Sequence, residues 1–192
     1  MTGASATWTA ANIGIYGYGS LLDDAGPQIE PRIIDRVRAL SPWPIEYARR
    51  SKRRGGAPTL TIYPAGSNVG GALLILDLEV DCAETVREWL WDREGRPKRT
   101  SIKVMPFLGL SSVVYAGLEP NISETDMTAD SLARLAIKSV SSAGELNGIR
   151  YLAANIARGI ITPLTFAYRD AILKLMRADD LAEAETLSRS IS

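Results

Sequence analysis

Apolar and polar positions alternate in short runs as far as Gly117, then change to a helical spacing. Ile13 and Ile15 alternate with Gly14 and Tyr16, which predicts a short buried strand. Ile45-Glu46-Tyr47-Ala48 and Thr59-Leu60-Thr61-Ile62-Tyr63 predict two more. Val69 to Leu76 predicts a buried strand, with Gly70 and Gly71 where a second backbone can come close. Ile102-Lys103-Val104 and Ser112 to Gly117 complete the set. Loops too short for crossover helices separate most of these runs, which favours antiparallel or mixed pairing. Glu30 to Leu40 fits either an extended segment or a short helix after Pro31, and the pattern does not choose. Asp81 to Trp91 predicts a helix. Asp81 is its expected N-cap, Glu84 stands at the capping-box spacing, and Gly95 is its stop with Pro97 beyond.

From Thr128 the spacing is helical. Leu132, Leu135, Ala136, Ser139 and Val140 share a face, and Gly144 ends that helix. Leu146, Ile149, Leu152, Ala153 and Ile156 mark a second, ended by Gly159. Pro163 opens a third, with Leu164, Ala167, Ala171, Ile172 and Leu175 expected inward. Strands first and helices last predict an α+β fold. We expect one domain over residues 1–178 with a C-terminal helical portion. Residues 179–192 read as a polar tail or loose helix, and residues 1–11 as a frayed start.

Composition narrows the chemistry. The 192 residues are 46% hydrophobic, enough for a substantial core. Lys and Arg number 22 and Asp and Glu number 22, so a net charge of zero gives no support to nucleic-acid binding. The run Arg49 to Arg54 holds five cations in six residues and reads as a solvated face or a phosphate contact. The single cysteine, Cys82, excludes an intramolecular disulfide and fits a reducing compartment. No apolar run approaches 18 residues, so the expectation is a soluble, cytoplasmic protein without a membrane partner. Histidine is absent, which removes Ser-His-Asp triads, Cys-His dyads and histidine zinc sites. No loop has calcium-ligand spacing, and neither metal nor cofactor is expected. Acid–base work falls to Glu, Asp, Lys or Tyr.

Two stretches carry candidate chemistry. Gly17-Tyr18-Gly19-Ser20-Leu21-Leu22 follows the first strand, and its glycines permit backbone angles and approaches that a Cβ forbids. It lacks the third glycine of a dinucleotide fingerprint and the Gly-Lys-Ser/Thr of a P-loop. It is not a nucleophile elbow, because no histidine exists to activate Ser20. It reads as a plain hairpin turn or as a turn that presents N–H groups to a carboxylate or carbonyl. Asp92-Arg93-Glu94-Gly95 ends the predicted helix. Glu94 reads as a solvated acid, or as a proton acceptor if a cleft partly desolvates it.

The succession of motifs resembles the γ-glutamylcyclotransferase-like superfamily, and most closely its glutathione-specific ChaC branch. Gly17-Tyr18-Gly19-Ser20-Leu21 is similar to its substrate-binding turn. Arg53 to Pro64, followed by Val69-Gly70-Gly71-Ala72, resembles a loop of that branch. Leu90-Trp91-Asp92-Arg93-Glu94-Gly95 looks like the catalytic segment, Val113-Val114-Tyr115-Ala116 like the late tyrosine strand, and Gly144 to Leu152 like a late helix start. The likeness runs in order over residues 13 to 175.

The resemblance implies a small mixed β-barrel with flanking helices. It implies that the backbone of Tyr18, Gly19, Ser20 and Leu21 binds a γ-glutamyl group, with Tyr115 closing the pocket, and that Glu94 is the acid–base residue. The expected activity is cyclisation of a γ-glutamyl amide or peptide, releasing 5-oxoproline and an amine or peptide. Such a reaction needs no protein nucleophile, since the substrate's own amine attacks. Two other readings stay open: a non-catalytic member binding a small anion or a protein partner, and a γ-glutamyl acyltransferase. The chain departs from the branch at Gly95-Arg96-Pro97-Lys98-Arg99-Thr100, where a tyrosine is missing, and in the basic loop, where a histidine is missing. The substrate can be glutathione, another γ-glutamyl compound, or an anionic one that uses Arg96, Lys98 or Arg99. The oligomeric state is not legible.

Overall fold

The computed structural model describes residues 8–96 and 100–191. Among them the strands and α-helices run in the order β1 (Asn12–Gly17), β2 (Ile33–Leu40), β3 (Ile45–Ser51), β4 (Ala57–Ile62), β5 (Gly70–Glu79), α1 (Ala83–Arg93), β6 (Thr100–Phe107), β7 (Leu110–Leu118), α2 (Ala129–Ala143), α3 (Gly148–Ala157), α4 (Thr165–Met176) and α5 (Leu181–Ile191). The class is α+β. Tertiary contacts group the chain into two compact units: Met1–Ser41 with Gly70–Leu118, and Pro42–Val69 with Glu119–Ser192.

The first unit is a five-stranded sheet in the order β2-β5-β1-β7-β6. β1 lies antiparallel to β5, with Ile15 opposite Leu74, and parallel to β7, with Ile15 opposite Val114. The pairing is mixed, as the short connections predict. Among the described residues β2 and β6 are the edges, and no pairing between them closes the sheet into the expected barrel. Glu30 to Leu40, ambiguous in the sequence, resolves as a 3-10 turn over Glu30–Arg32 followed by β2. The antiparallel ladder to β5 pairs one edge of β2, a long-range reward that local pattern does not contain.

One sheet face carries Ile13, Ile15, Ala72, Leu74, Leu76 and Val114, packed with Leu21, Val86 and Leu90. Val86 and Leu90 stand one helical turn apart on α1, so that helix covers this face. The opposite face carries Tyr16, Leu73, Ile75 and Val113, also buried. α1 starts differently from expectation. Asp81 lies inside a 3-10 turn over Val80–Cys82, and Cys82 is the N-cap without a side-chain cap bond. The turn itself supplies the bonds, with the Ala83 N–H donating to the Val80 carbonyl.

In the second unit, β3 and β4 form a two-stranded antiparallel ribbon, and α2 packs against β4, α3, α4 and α5. Thr128 caps α2 by accepting from the Ser131 N–H, and Asn147 caps α3 by accepting from the Arg150 N–H. The inward residues expected for α4 need correction. Ala167 and Leu175 are exposed, and the buried face is Thr165, Tyr168, Ala171 and Ile172. The Tyr168 ring decides the face, lying edge-on to Tyr47 at 5.3 Å between centroids. The stretch read as a polar tail or loose helix contains α5, in which Ala184, Glu185 and Ser188 are buried. No helix among the described residues is long and apolar enough to cross a membrane.

Candidate functional site

β1 ends at Gly17, and an ideal Cβ on that glycine would lie 2.8 Å from Leu21 Cδ2. Tyr18 is extended and Gly19 enters the left-handed region at φ +59°. That glycine turns the chain into one 3-10 turn over Gly19–Leu22. Leu21 anchors the turn by burying its side chain in the α1-covered core, and its backbone N–H donates to the Tyr18 carbonyl at 3.4 Å. The Ser20 carbonyl accepts from the N–H groups of Asp23 and Asp24 at 3.3 and 3.2 Å. The Asp24 carboxylate in turn accepts from the Gly26 N–H at 2.9 Å.

α1 ends in the same unit. Gly95, at φ +79°, donates to the Asp92 carbonyl, and Arg96 donates to the Trp91 carbonyl. These two bonds make a Schellman ending, which leaves Glu94 as the C-cap residue. The glycine stop legible in the sequence therefore sets where the Glu94 side chain leaves the helix.

Arg93 joins the two stretches. Its Nη1 donates to Glu94 Oε1 at 2.5 Å. Its Nη2 donates to Ser20 Oγ at 3.3 Å and to the Asp24 carbonyl at 2.8 Å, and its Nε donates to the same carbonyl at 3.2 Å. The Arg93 and Glu94 side chains are 15% and 18% exposed, so the ion pair is largely shielded from water. Among the described residues, Glu94 Oε2 has no hydrogen-bond partner. The cation also sits favourably in the last turn of a helix.

The remaining candidates lie around this pair. The Tyr18 ring is 6.5 Å from the Tyr16 ring, in the row of aromatics that includes Phe107. Tyr115 stands opposite Lys103 in the β6–β7 ladder. Alternation puts it on the sheet face away from Val114 and the α1-covered core. Burial raises the pKa of its phenol above the ordinary value. Arg96, a candidate anion contact, pairs with Asp92 and lies 4.9 Å over the Trp91 ring. Pro97, Lys98 and Arg99 lie outside the described residues. Among the described residues no cluster of three or more Cys, Asp or Glu is arranged to hold a metal ion.

The structure thus links Ser20 to Glu94 through one side chain, while strand alternation sets Tyr115 on the other sheet face. Arg93 is the residue that sequence reasoning passed over. It was visible in Asp92-Arg93-Glu94-Gly95, but nothing local says that a guanidinium there reaches a turn 73 positions earlier. Comparison of the chain with protein-family models, with curated proteins and with solved structures finds no match in any of the three.

Proposed function

We propose that this chain is a γ-glutamylcyclotransferase-like enzyme, which cyclises a γ-glutamyl amide or peptide to 5-oxoproline and releases an amine or peptide. The observation that carries the proposal is the Arg93 bridge between the Glu94 carboxylate and the turn at Ser20 and Asp24. A substrate held by the Tyr18–Leu21 backbone would lie within reach of a carboxylate that keeps one oxygen unpaired. The small mixed barrel of that superfamily belongs to this proposal. The mixed pairing of β1 with β5 and β7 supports it, and the open edges at β2 and β6 do not.

The chemistry asks little of the protein. Glu94 takes a proton from the substrate's α-ammonium, and the free amine attacks the γ-carbonyl carbon. A five-membered ring closes through the new C–N bond. The carbonyl oxygen becomes an oxyanion that backbone N–H groups stabilise. Gly19 and Ser20 open the 3-10 turn, where the first amides have no partner within the turn. The tetrahedral species then breaks its original C–N bond as the ring nitrogen gives up its second proton, and that proton and the one held by Glu94 leave on the departing amine as its ammonium. Nucleophile and electrophile belong to one molecule, so holding them in attack geometry supplies much of the rate.

The test is a panel of γ-glutamyl compounds assayed by mass spectrometry for 5-oxoproline. Wild type should release it from at least one member, and Glu94→Gln should lose about 10²–10⁴-fold in rate. Equal rates would remove Glu94 from the mechanism. No turnover by wild type, together with a ligand-dependent rise in Tm, would favour a non-catalytic binder.

A further inference from the structure

We infer that Arg93 is a positioning residue, a brace that holds the Glu94 carboxylate and the Ser20 turn in one geometry for a γ-glutamyl substrate. The role in turnover rests on the cyclotransferase reading above; the brace itself does not. All three guanidinium nitrogens are engaged, Nη1 on Glu94, Nη2 on Ser20 and the Asp24 carbonyl, and Nε on that same carbonyl. A planar fork matches such a divergent set, and a lysine ammonium does not. Pinning Oε1 orients the carboxylate and leaves Oε2 for the reacting amine. Ser20 Oγ accepts from Arg93, so its own proton remains available to a substrate acceptor such as the α-carboxylate.

The loop makes room for this brace. Gly26 takes φ +95°, and an ideal Cβ there would lie 3.2 Å from Arg93 Cγ. The Gly26 N–H is held by the Asp24 side chain, and the Asp24 carbonyl receives two bonds from Arg93. Loop and arginine therefore fix each other, and both are needed before Glu94 has a defined direction.

Two measurements on the full chain test the proposal. Hydrogen exchange over residues 18–26 should speed up by at least about 10-fold in Arg93→Ala, with β5 and β7 unchanged, because the turn loses its three bonds to the Arg93 guanidinium. Unchanged exchange over 18–26, or faster exchange throughout the sheet, overturns the brace. Steady-state rates on the substrate found by the panel should show kcat falling about 10²-fold in Arg93→Ala, with KM changed far less. Millimolar methylguanidinium should restore part of that loss in Arg93→Ala and nothing in Glu94→Gln. Arg93→Lys should recover less than half of it on a logarithmic scale. A wild-type kcat in Arg93→Ala, or an undiminished Arg93→Ala effect in a Glu94→Gln background, overturns the role in turnover. If wild type turns over no γ-glutamyl compound, the cyclotransferase reading falls, and the exchange measurement still decides the brace.

Discussion

Glu46, in β3 of the second unit, and Glu94, at the end of α1 in the first, are both shielded from water but use their oxygens differently. Glu46 is 2% exposed. Its Oε1 accepts from the Tyr47 N–H at 2.8 Å and the Thr162 hydroxyl at 2.5 Å, and its Oε2 accepts from the Leu164 N–H at 3.1 Å. Burial pushes its pKa up and the three hydrogen bonds pull it back only in part. Glu94 has one charged partner on one oxygen and none on the other among the described residues. A carboxylate with both oxygens engaged ties β3 to the start of α4. A carboxylate pinned by one oxygen is oriented and still able to act. The two acids differ in hydrogen-bond saturation more than in burial, and under the proposed mechanism that difference leaves Glu94 Oε2 for a substrate.

Substitution at the two acids should have opposite consequences. Glu94→Gln should remove about 10²–10⁴-fold of 5-oxoproline formation and leave Tm within about 2 °C of wild type. Glu46→Ala should do the reverse in kind. It should cost roughly 3 kcal/mol, about 1 for each buried donor left without an acceptor. In a chain of this size that is a Tm fall of roughly 6–12 °C by calorimetry. A Glu94→Gln variant that unfolds, or a Glu46→Ala variant that keeps its Tm, would erase the distinction.

A smaller effect comes from pH, and it has opposite signs at two buried acids of the second unit. Burial raises the pKa of Glu185, but bonds from Arg150, Arg189 and Asn147 outweigh it, so the net shift is downward. A lowered folded-state pKa adds stability above the usual value of 4.5 and loses it as pH falls through the folded value. The advantage of wild type over Glu185→Gln should therefore shrink on acidification below about pH 4.5. For Glu46 the folded-state pKa is raised, so its contribution is fully present below 4.5 and is lost as pH rises through the folded value. Wild type compared with Glu46→Gln should weaken as pH rises from 4.5. Denaturant melts of both variants from pH 3 to 7, a span of about four units, read the two slopes; slopes of one sign would refute the assignment.

The smallest effect concerns a buried polar group that, unlike Glu46, is not satisfied. Among the described residues, the buried Tyr168 hydroxyl oxygen has no hydrogen-bond partner. Tyr168→Phe should therefore change stability by less than about 0.5 kcal/mol, or raise it. A loss above about 1 kcal/mol would mean that the hydroxyl is paired.

Much of the local structure around the candidate site was legible. Ile13 and Ile15 announced β1, Gly19 the turn, and Gly95 the helix stop, because each depends on a period or a backbone angle that neighbouring residues set. Glu94 was legible as an acid beside that stop. Other local inferences failed where distant partners decided. Asp81 had capping spacing, but a 3-10 turn displaced the cap to Cys82. Ala167 and Leu175 had inward spacing, but Tyr168 rotated α4 toward the ring of Tyr47. Glu30 to Leu40 had no local preference, and the ladder to β5 supplied one.

Local pattern and composition suffice for an α+β chain without histidine, a glycine turn after its first strand, and an acid beside the glycine stop of the helix that precedes β6. Those follow from composition, periodicity and the backbone freedom of glycine at positions 19 and 95. Tertiary structure alone decided that Arg93 reaches Ser20 and Asp24, and that α1 covers the sheet face that carries Val114. The reason is physical: a bond across 73 positions exists only after strands pair and a helix packs, and no short stretch of the chain encodes that geometry.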